Sequence, residues 1–359
     1  MKTALLYNTK FGEFDYGQGH PMRPLRLKET FELIKEVGLL NLPDAALIEA
    51  RRASDAEILT FHTPEYLEVL KRADSGGKDI TEDDKAFNIG QGDCPAFPGV
   101  FEWSSYSAGA SVQGAELILS GEADIAFNIA GGLHHAMAER ASGFCYINDA
   151  VLAIKHLLNA GKRVVYVDID AHHGDGVEAA FVDTDQVLTI SIHENGFYLF
   201  PGTGFVENIG TGAGKGFAIN VPLLPGADDN VFVDSFEAIV PAFIEAFKPD
   251  VLVTQLGVDS FTTDPLTHMS ITTNGFSEMI ERFRSLNLPW LALGGGGYNL
   301  DNVKRAWTLA WAIMNGVEVP DALHDPTQKT APPEIEKIKA TATKTIDFLI
   351  DKVLPIVKG

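Results

Sequence analysis

The sequence predicts an α/β fold: a single open, mostly parallel β-sheet with helices on both faces and an active site at the carboxyl ends of the strands. Three observations lead there. Short apolar runs, such as Arg163-Val-Val-Tyr-Val167, recur along the chain and read as strands buried on both faces. They alternate with stretches of helical spacing, which implies a parallel sheet covered on both sides. Polar clusters follow the runs repeatedly, where ligands bind in open sheets of this kind.

In chain order, Ala4–Tyr7 reads as the first strand. The turn-rich, basic stretch Gly17–Arg26 leads into a helix near Lys28–Val37, and Thr63 opens a short helix over Pro64–Lys71. Residues 73–99 show little periodicity, as a functional or mobile loop would. Trp103–Leu119 is helical and rich in small residues, so close packing is expected. Ile125–Ile129 is a strand that runs into Gly131-Gly-Leu-His-His135. Asn148–Asn159 is a helix with Asn148 or Asp149 as its cap and Gly161 as its stop. Further strands are expected at Val187–Ile192, Phe217–Val221, Val251–Leu256 and Trp290–Leu293. Further helices are expected at Asp229–Phe247, Asn274–Leu286 and Leu300–Asn315. Pro320–Pro333 reads as a linker. Beyond it, Ile335, Ile338, Ala342, Ile346, Leu349 and Val353 keep helical spacing, as in a helix docked on the same domain. The expected organisation is a catalytic domain over 1–316, then a linker and docking helix over 317–359.

The 359 residues suffice for a large core, and 28 Lys and Arg against 49 Asp and Glu leave a net charge of −21. That balance argues against nucleic acid and anionic lipid, and suits a basic partner. Two cysteines without paired spacing, Cys94 and Cys145, fit a reducing compartment. The opening Met1–Tyr7 reads as a strand rather than a signal peptide, and no apolar run is long enough to span a membrane. A soluble cytoplasmic protein is expected.

The chemistry concentrates in Tyr166-Val-Asp-Ile-Asp-Ala-His-His-Gly-Asp-Gly176. A single Asp or His after a strand is ordinarily a polar turn. Three acids and two His entered from an apolar strand point instead to a divalent metal or a catalytic site. If the extended geometry lasts through His172, then Asp168, Asp170 and His172 share a face. Asp259, just past Val251–Val253, would complete a set of three with Asp170 and His172, leaving room for water as a catalytic metal site does. Such carboxylate-rich ligation admits iron, manganese or cobalt as well as zinc. Adjacent His134 and His135 would point different ways on a helix or strand. They read as two separate acid–base groups, with Asp168 and Asp175 as candidate carboxylates to orient them. Gly294–Gly297 brings backbone close to a ligand and delivers Tyr298, which could hydrogen-bond a carbonyl oxygen as it becomes an oxyanion. These parts fit metal-assisted hydrolysis of an amide.

The chain resembles the zinc-dependent histone deacetylase family and its prokaryotic relatives, especially the acetoin-utilisation-type deacetylases, over Tyr7 to Asn315. The motifs are Gly-Gln-Gly-His-Pro-Met-Arg-Pro (17–24), Gly-Asp-Cys-Pro-Ala (92–96), Ala-Gly-Gly-Leu-His-His-Ala (130–136), Ser-Gly-Phe-Cys-Tyr-Ile-Asn-Asp (142–149), Asp-Ile-Asp-Ala-His-His-Gly-Asp-Gly-Val (168–177), Phe-Pro-Gly-Thr-Gly (200–204) and Gly-Gly-Gly-Gly-Tyr (294–298). The resemblance implies an arginase/deacetylase-like fold. It implies Zn2+, with Fe2+ as the alternative, on Asp170, His172 and Asp259. It pairs His134 with Asp168 and His135 with Asp175, makes His135 the general base and Tyr298 the group that polarises the carbonyl. It also implies a narrow acyl-lysine tube walled by Phe144 and Phe200, with Gly143 along it, Leu266 and Asp93 at its rim, and Arg26 near an acetate-release channel. A structural K+ would sit around Asp168, Asp170, His172 and Ser191. The implied substrate is an acetylated protein or peptide lysine, with small acetylated amines such as acetylpolyamines, or other acyl chains, as the alternative. A non-catalytic acyl-lysine module would show damaged machinery, and none is damaged. A ureohydrolase-like site would need ligands for a second metal. Asp259–Ile271, with Asp264-Pro-Leu-Thr-His-Met269, is similar to the acetoin-utilisation branch, and the tail after Val317 matches no family motif.

Overall fold

The computed structural model describes residues 1–318, 321–326 and 334–359. Its strands are β1 (Thr3–Tyr7), β2 (Ala45–Glu49), β3 (Ile125–Asn128), β4 (Val164–Asp168), β5 (Val187–Glu194), β6 (Ala218–Leu223), β7 (Val251–Gln255) and β8 (Trp290–Leu293). Among the described residues they form one sheet in the order β2-β1-β3-β8-β7-β4-β5-β6, with every neighbouring pair parallel. Seven of the eight are buried along their whole length, which is why they read as continuous apolar runs.

The helices are α1 (Leu25–Glu36), α2 (Asp55–Ile58), α3 (Pro64–Ala73), α4 (Val100–Ser120), α5 (Asp149–Asn159), α6 (Asp175–Phe181), α7 (Asp229–Phe247), α8 (Thr273–Ser285), α9 (Leu300–Asn315), α10 (Ile335–Phe348) and α11 (Leu354–Lys358). Thr63 accepts the Tyr66 N–H at the start of α3, and Asn148 accepts the Val151 N–H at the start of α5. Of the two candidate caps, Asn148 therefore fills the role. The small residues of α4 allow the expected close approach: a Cβ on Gly109 would lie 2.2 Å from the Arg51 carbonyl oxygen. The helix packs on α5 and β3.

Three elements were not expected. Strand β2 is a half-exposed edge strand paired only to β1, so it lacks a buried apolar run. Helices α2 and α6 are too short to show helical periodicity. At the other end of the chain, α10 packs on α7 and β6, burying Ile338 and Ala342, while Leu349 and Val353 are buried in the π-helical turn that follows. The linker expected over Pro320–Pro333 falls largely on residues 319–320 and 327–333, outside the described residues. The piece between is tied down, for Asp325 accepts from Arg305 and from the Thr273 N–H.

Topology places the site. Chain order jumps from β3 to β4, yet β8 and β7 lie between them in the sheet. In register, Asp168 sits between Gln255 and Ser191, and Leu293 between Gln255 and Asn128. The carboxyl ends of five adjacent strands thus open on one crevice, where open α/β sheets bind ligands.

Candidate metal and active site

Asp170, His172 and Asp259 are buried, and one potential ligand atom from each lies within 4.8 Å of the others. His172 Nδ1 is 3.1 Å from Asp170 Oδ1 and 2.9 Å from Asp259 Oδ2. Ligands about 2.0–2.1 Å from a tetrahedral metal are roughly 3.3 Å apart, so the triangle has the size the metal requires. The outer oxygen of each carboxylate is already engaged. Asp170 Oδ2 accepts from Gln255 Nε2 at 2.6 Å and from the Gly296 N–H at 2.7 Å, and Asp259 Oδ1 accepts the Ala171 N–H at 2.8 Å. One oxygen of each is left facing His172. Gly296 must be glycine, because a Cβ there would lie 2.1 Å from Asp259 Oδ2.

The electrostatics call for a cation. Burial and the neighbouring Asp170 carboxylate hold Asp259 up at about 6. Asp170 is also buried, but the two imidazoles of His134 and His172 keep it well below the usual range. Without an ion the positive partner of the two carboxylates is His172, which, against burial, Asp259 raises well above its ordinary value. A divalent cation with an open position would fit the same three residues and take over that role.

Asp168 does not join this set. Strand β4 ends at Asp168 and the chain bends through 170–172, so the extended geometry that would give Asp168, Asp170 and His172 one face stops early. Asp168 Oδ2 instead accepts from Tyr166 Oη at 2.6 Å and pairs with His134 Nδ1 at 2.8 Å. His135 Nδ1 pairs with Asp175 Oδ1 at 2.7 Å. Each imidazole thus has its own carboxylate, which fixes the far ring nitrogen. The two rings do not point apart. Gly132 turns with φ +84°, residues 131–135 are neither helix nor strand, and the Nε2 atoms come within 3.0 Å of each other. Burial opposes charging of both. For His134, Asp168 and Asp170 outweigh it and raise the group to about 9; for His135, burial and the charge on His134 lower it to about 4.

Tyr298 enters after Gly297, whose φ is +139°, and its N–H is accepted by Asp264 Oδ2 at 2.8 Å. Burial holds its hydroxyl well above the usual phenol range, so it stays a donor. A cavity of about 250 Å³ leads down to these groups, lined by Asp93, His135, Gly143, Phe144, His172, Leu199, Phe200, Leu266 and Tyr298. Phe144 packs edge-on against Tyr298 at 5.6 Å, and Phe200 edge-on against His135 at 5.1 Å. Gly143 has φ +53° and its N–H is accepted by Asp93 Oδ2 at 2.7 Å, which ties rim to wall. Arg26 lies behind the tube, buried, donating to the Gly297 carbonyl at 2.8 Å beneath the Trp307 ring. Ser191 is not among the tube residues; it bonds His193 across 2.9 Å. His173 is structural, bridging Thr203 and Glu178.

Sequence reasoning missed Leu199, Gln255, Tyr166 and Asp264. Gln255 closes an apolar strand with an amide, a signal of the same kind as Asp168. Asp264 accepts both the Tyr298 and Leu266 N–H groups, which only the folded loop reveals. Burial and Asp259 raise it to about 7.

A histone deacetylase domain model matches residues 20–314. The chain is 41% identical over 317 residues to histone deacetylase RPD3 of Saccharomyces cerevisiae, covering 88% of this chain and 72% of that protein. It is 42% identical over 324 residues to histone deacetylase 1 of Homo sapiens, covering 90% and 66%, and 43% identical over 323 residues to histone deacetylase 19 of Arabidopsis thaliana, covering 90% and 64%. The crystal structure of an HDAC homolog complexed with SAHA superposes with a TM-score of 0.86 at 33% identity, covering 100% of both chains. These relatives are eukaryotic where a source is given, and none speaks for the acetoin-utilisation branch.

Proposed function

Because the chain belongs to the histone deacetylase family, we propose that it hydrolyses the amide of acetyl-lysine in proteins or peptides, releasing acetate and free lysine. One observation carries this reading. The metal-sized triangle of Asp170, His172 and Asp259, two carboxylate-oriented imidazoles and a protonated Tyr298 all meet at the base of one narrow tube.

The tube admits an unbranched side chain between Phe144, Phe200, Leu199 and Leu266. Asp93 and Gly143 fix its rim, and Asp93 would accept substrate backbone N–H groups. Zn2+, or Fe2+ in its place, when bound by Asp170, His172 and Asp259 supplies Lewis-acid polarisation of the amide carbonyl and acidifies water. His135, neutral and held by Asp175, takes the proton of the attacking water. His134, proton-bearing and held by Asp168, returns a proton to the departing amine. The Tyr298 hydroxyl donates to the oxygen that becomes anionic. Arg26, buried behind Gly297, would serve the release of acetate. A structural K+ among backbone groups of Asp168, Asp170, His172 and Ser191 would brace the ends of β4 and β5. The docking of α10 on α7 and β6 supports one domain with its tail on the same body.

The test is activity of chelator-stripped protein restored by Zn2+ or Fe2+. The panel is acetyl-, propionyl-, butyryl- and longer acyl-lysine peptides beside acetylpolyamines. Restoration of peptide deacetylation by neither metal overturns the reading. A clear preference for acetylpolyamines replaces the substrate with a small amine, which the net charge of −21 would attract.

A further inference from the structure

The loop after β5 carries aromatic surface outward from the tube wall at Phe200 to residues that the hydrolysis does not use. Phe197 is 80% exposed, Tyr198 56% and Phe200 46%. The other large exposed hydrophobics among the described residues, Met1, Leu25, Leu47, Leu59 and Ile356, stand singly along the chain. Single exposed apolar residues are ordinary, whereas a cluster beside a site marks a contact surface.

The ledge is built. The Asn195 carbonyl accepts the Tyr198 N–H at 2.8 Å, and Asn195 Oδ1 accepts the Phe197 N–H at 3.0 Å. The Phe197 ring is backed by Phe205 at 4.9 Å. Below the loop, His173 bonds Thr203 and His193 bonds the Gly204 carbonyl, so the chain beyond Phe200 is anchored. The ledge is continuous with the tube through Leu199 and Phe200, which line it. Three residues of chain span at most about 11 Å, and neighbouring residues of an extended peptide are about 3.5 Å apart. A peptide whose acyl-lysine fills the tube therefore lays its adjacent residues within reach of Phe197 and Tyr198, whereas a small acetylated amine ends at the mouth. Between positions 194 and 200 the one acid is Glu194, buried and engaged by His268, so this stretch offers apolar surface rather than charge.

We propose that Phe197 and Tyr198 form a subsite for an apolar side chain flanking the acyl-lysine of a peptide substrate. This rests on the lysine deacetylase reading above and narrows its substrate class. The test compares wild type with the F197A/Y198A double variant. The substrates are acetyl-lysine peptides flanked by Leu or Phe, by Gly, or by Arg, and a single acetyl-lysine blocked at both ends. Wild type should favour the apolar-flanked peptides over the Gly-flanked ones by about five- to tenfold in kcat/KM, carried in KM. That preference should vanish in the variant, whose melting temperature stays that of wild type. Equal turnover of all flanks by wild type, a preference for Arg, or a preference that survives in F197A/Y198A overturns the subsite while leaving the deacetylase reading standing. A variant that differs in sedimentation shows the ledge to be an interface between copies, and overturns it too. No turnover of any of these, the blocked acetyl-lysine included, overturns the deacetylase reading and the subsite with it.

Discussion

Tyr298 is placed by its backbone. Gly297 supplies a φ of +139°, and Asp264 holds the Tyr298 N–H, while the hydroxyl, pushed far above its ordinary range by burial, keeps its proton. Removing that one donor leaves the tube lined, so Tyr298→Phe should lower kcat by about 10²–10³ with little change in KM, measured by steady-state deacetylation. The two histidines separate in the same way. In the metal-free protein His134, raised to about 9, holds its second proton through neutral pH, and His135, lowered to about 4, stays neutral until the medium is strongly acidic. Nitrogen-resolved NMR titration of the chelated protein should find one imidazolium and one neutral ring at pH 7; two neutral rings would remove the assignment of acid to His134. The pairing of these His with Asp168 and Asp175 was readable from the family motifs. Their meeting at Nε2 was not, since residue spacing describes helices and strands, and Gly132 puts the pair in a turn.

Among the elements, α2 shows where a short helix gets its stability. Ser54 accepts the Glu57 N–H and the Glu57 carboxylate accepts the Ser54 N–H, while Arg51 binds the same carboxylate at 2.7 Å. The helix was not anticipated from the sequence, because four residues carry no periodicity. Burial works against the charged Glu57, but Arg51 and Ser54 bring it down to about 2 from 4.5. A depressed carboxylate contributes stability above its unfolded value and loses it as pH falls through the folded one. Glu57→Gln should therefore cost about 1 kcal/mol at pH 7, and the gap should close between pH 4.5 and 2, read by denaturant unfolding. The tail behaves differently, for its stability comes from packing. Leu349 is fully buried, so Leu349→Ala should cost about 2–5 kcal/mol in the same measurement. That helix was visible in advance because its apolar positions keep a period. Strand β2 was not, because an edge strand paired on one side has no such pattern.

At the scale of the whole molecule, a parallel sheet gathers the ends of distant strands, and here it gathers negative charge. Asp168, Asp170, Asp259 and Asp264 are all buried at one rim of a chain whose net charge is −21. Each segment's polar ending could be read alone. That Gln255 would brace Asp170, or that Asp264 would brace Tyr298, depends on loops meeting across the sheet and left no local trace. A divalent metal held by Asp170, His172 and Asp259 would therefore add to the fold's stability as well as supply its chemistry. Chelation should lower the melting temperature, and Zn2+ at about a hundredfold its Kd should restore about 5 °C, since a ligand bound only by the folded state stabilises it by mass action. Asp259→Asn provides the opposing case. It removes a buried charge held up at about 6, first by burial and then by the neighbouring Asp170, while keeping an oxygen for the Ala171 N–H. In chelated protein Asp259→Asn should melt below wild type, because it takes from the buried His172 its main carboxylate partner, and added Zn2+ should shift it little. A variant that Zn2+ stabilises as much as it does wild type would mean that the metal is not held by Asp259, and the triangle would then be a structural ion-pair network.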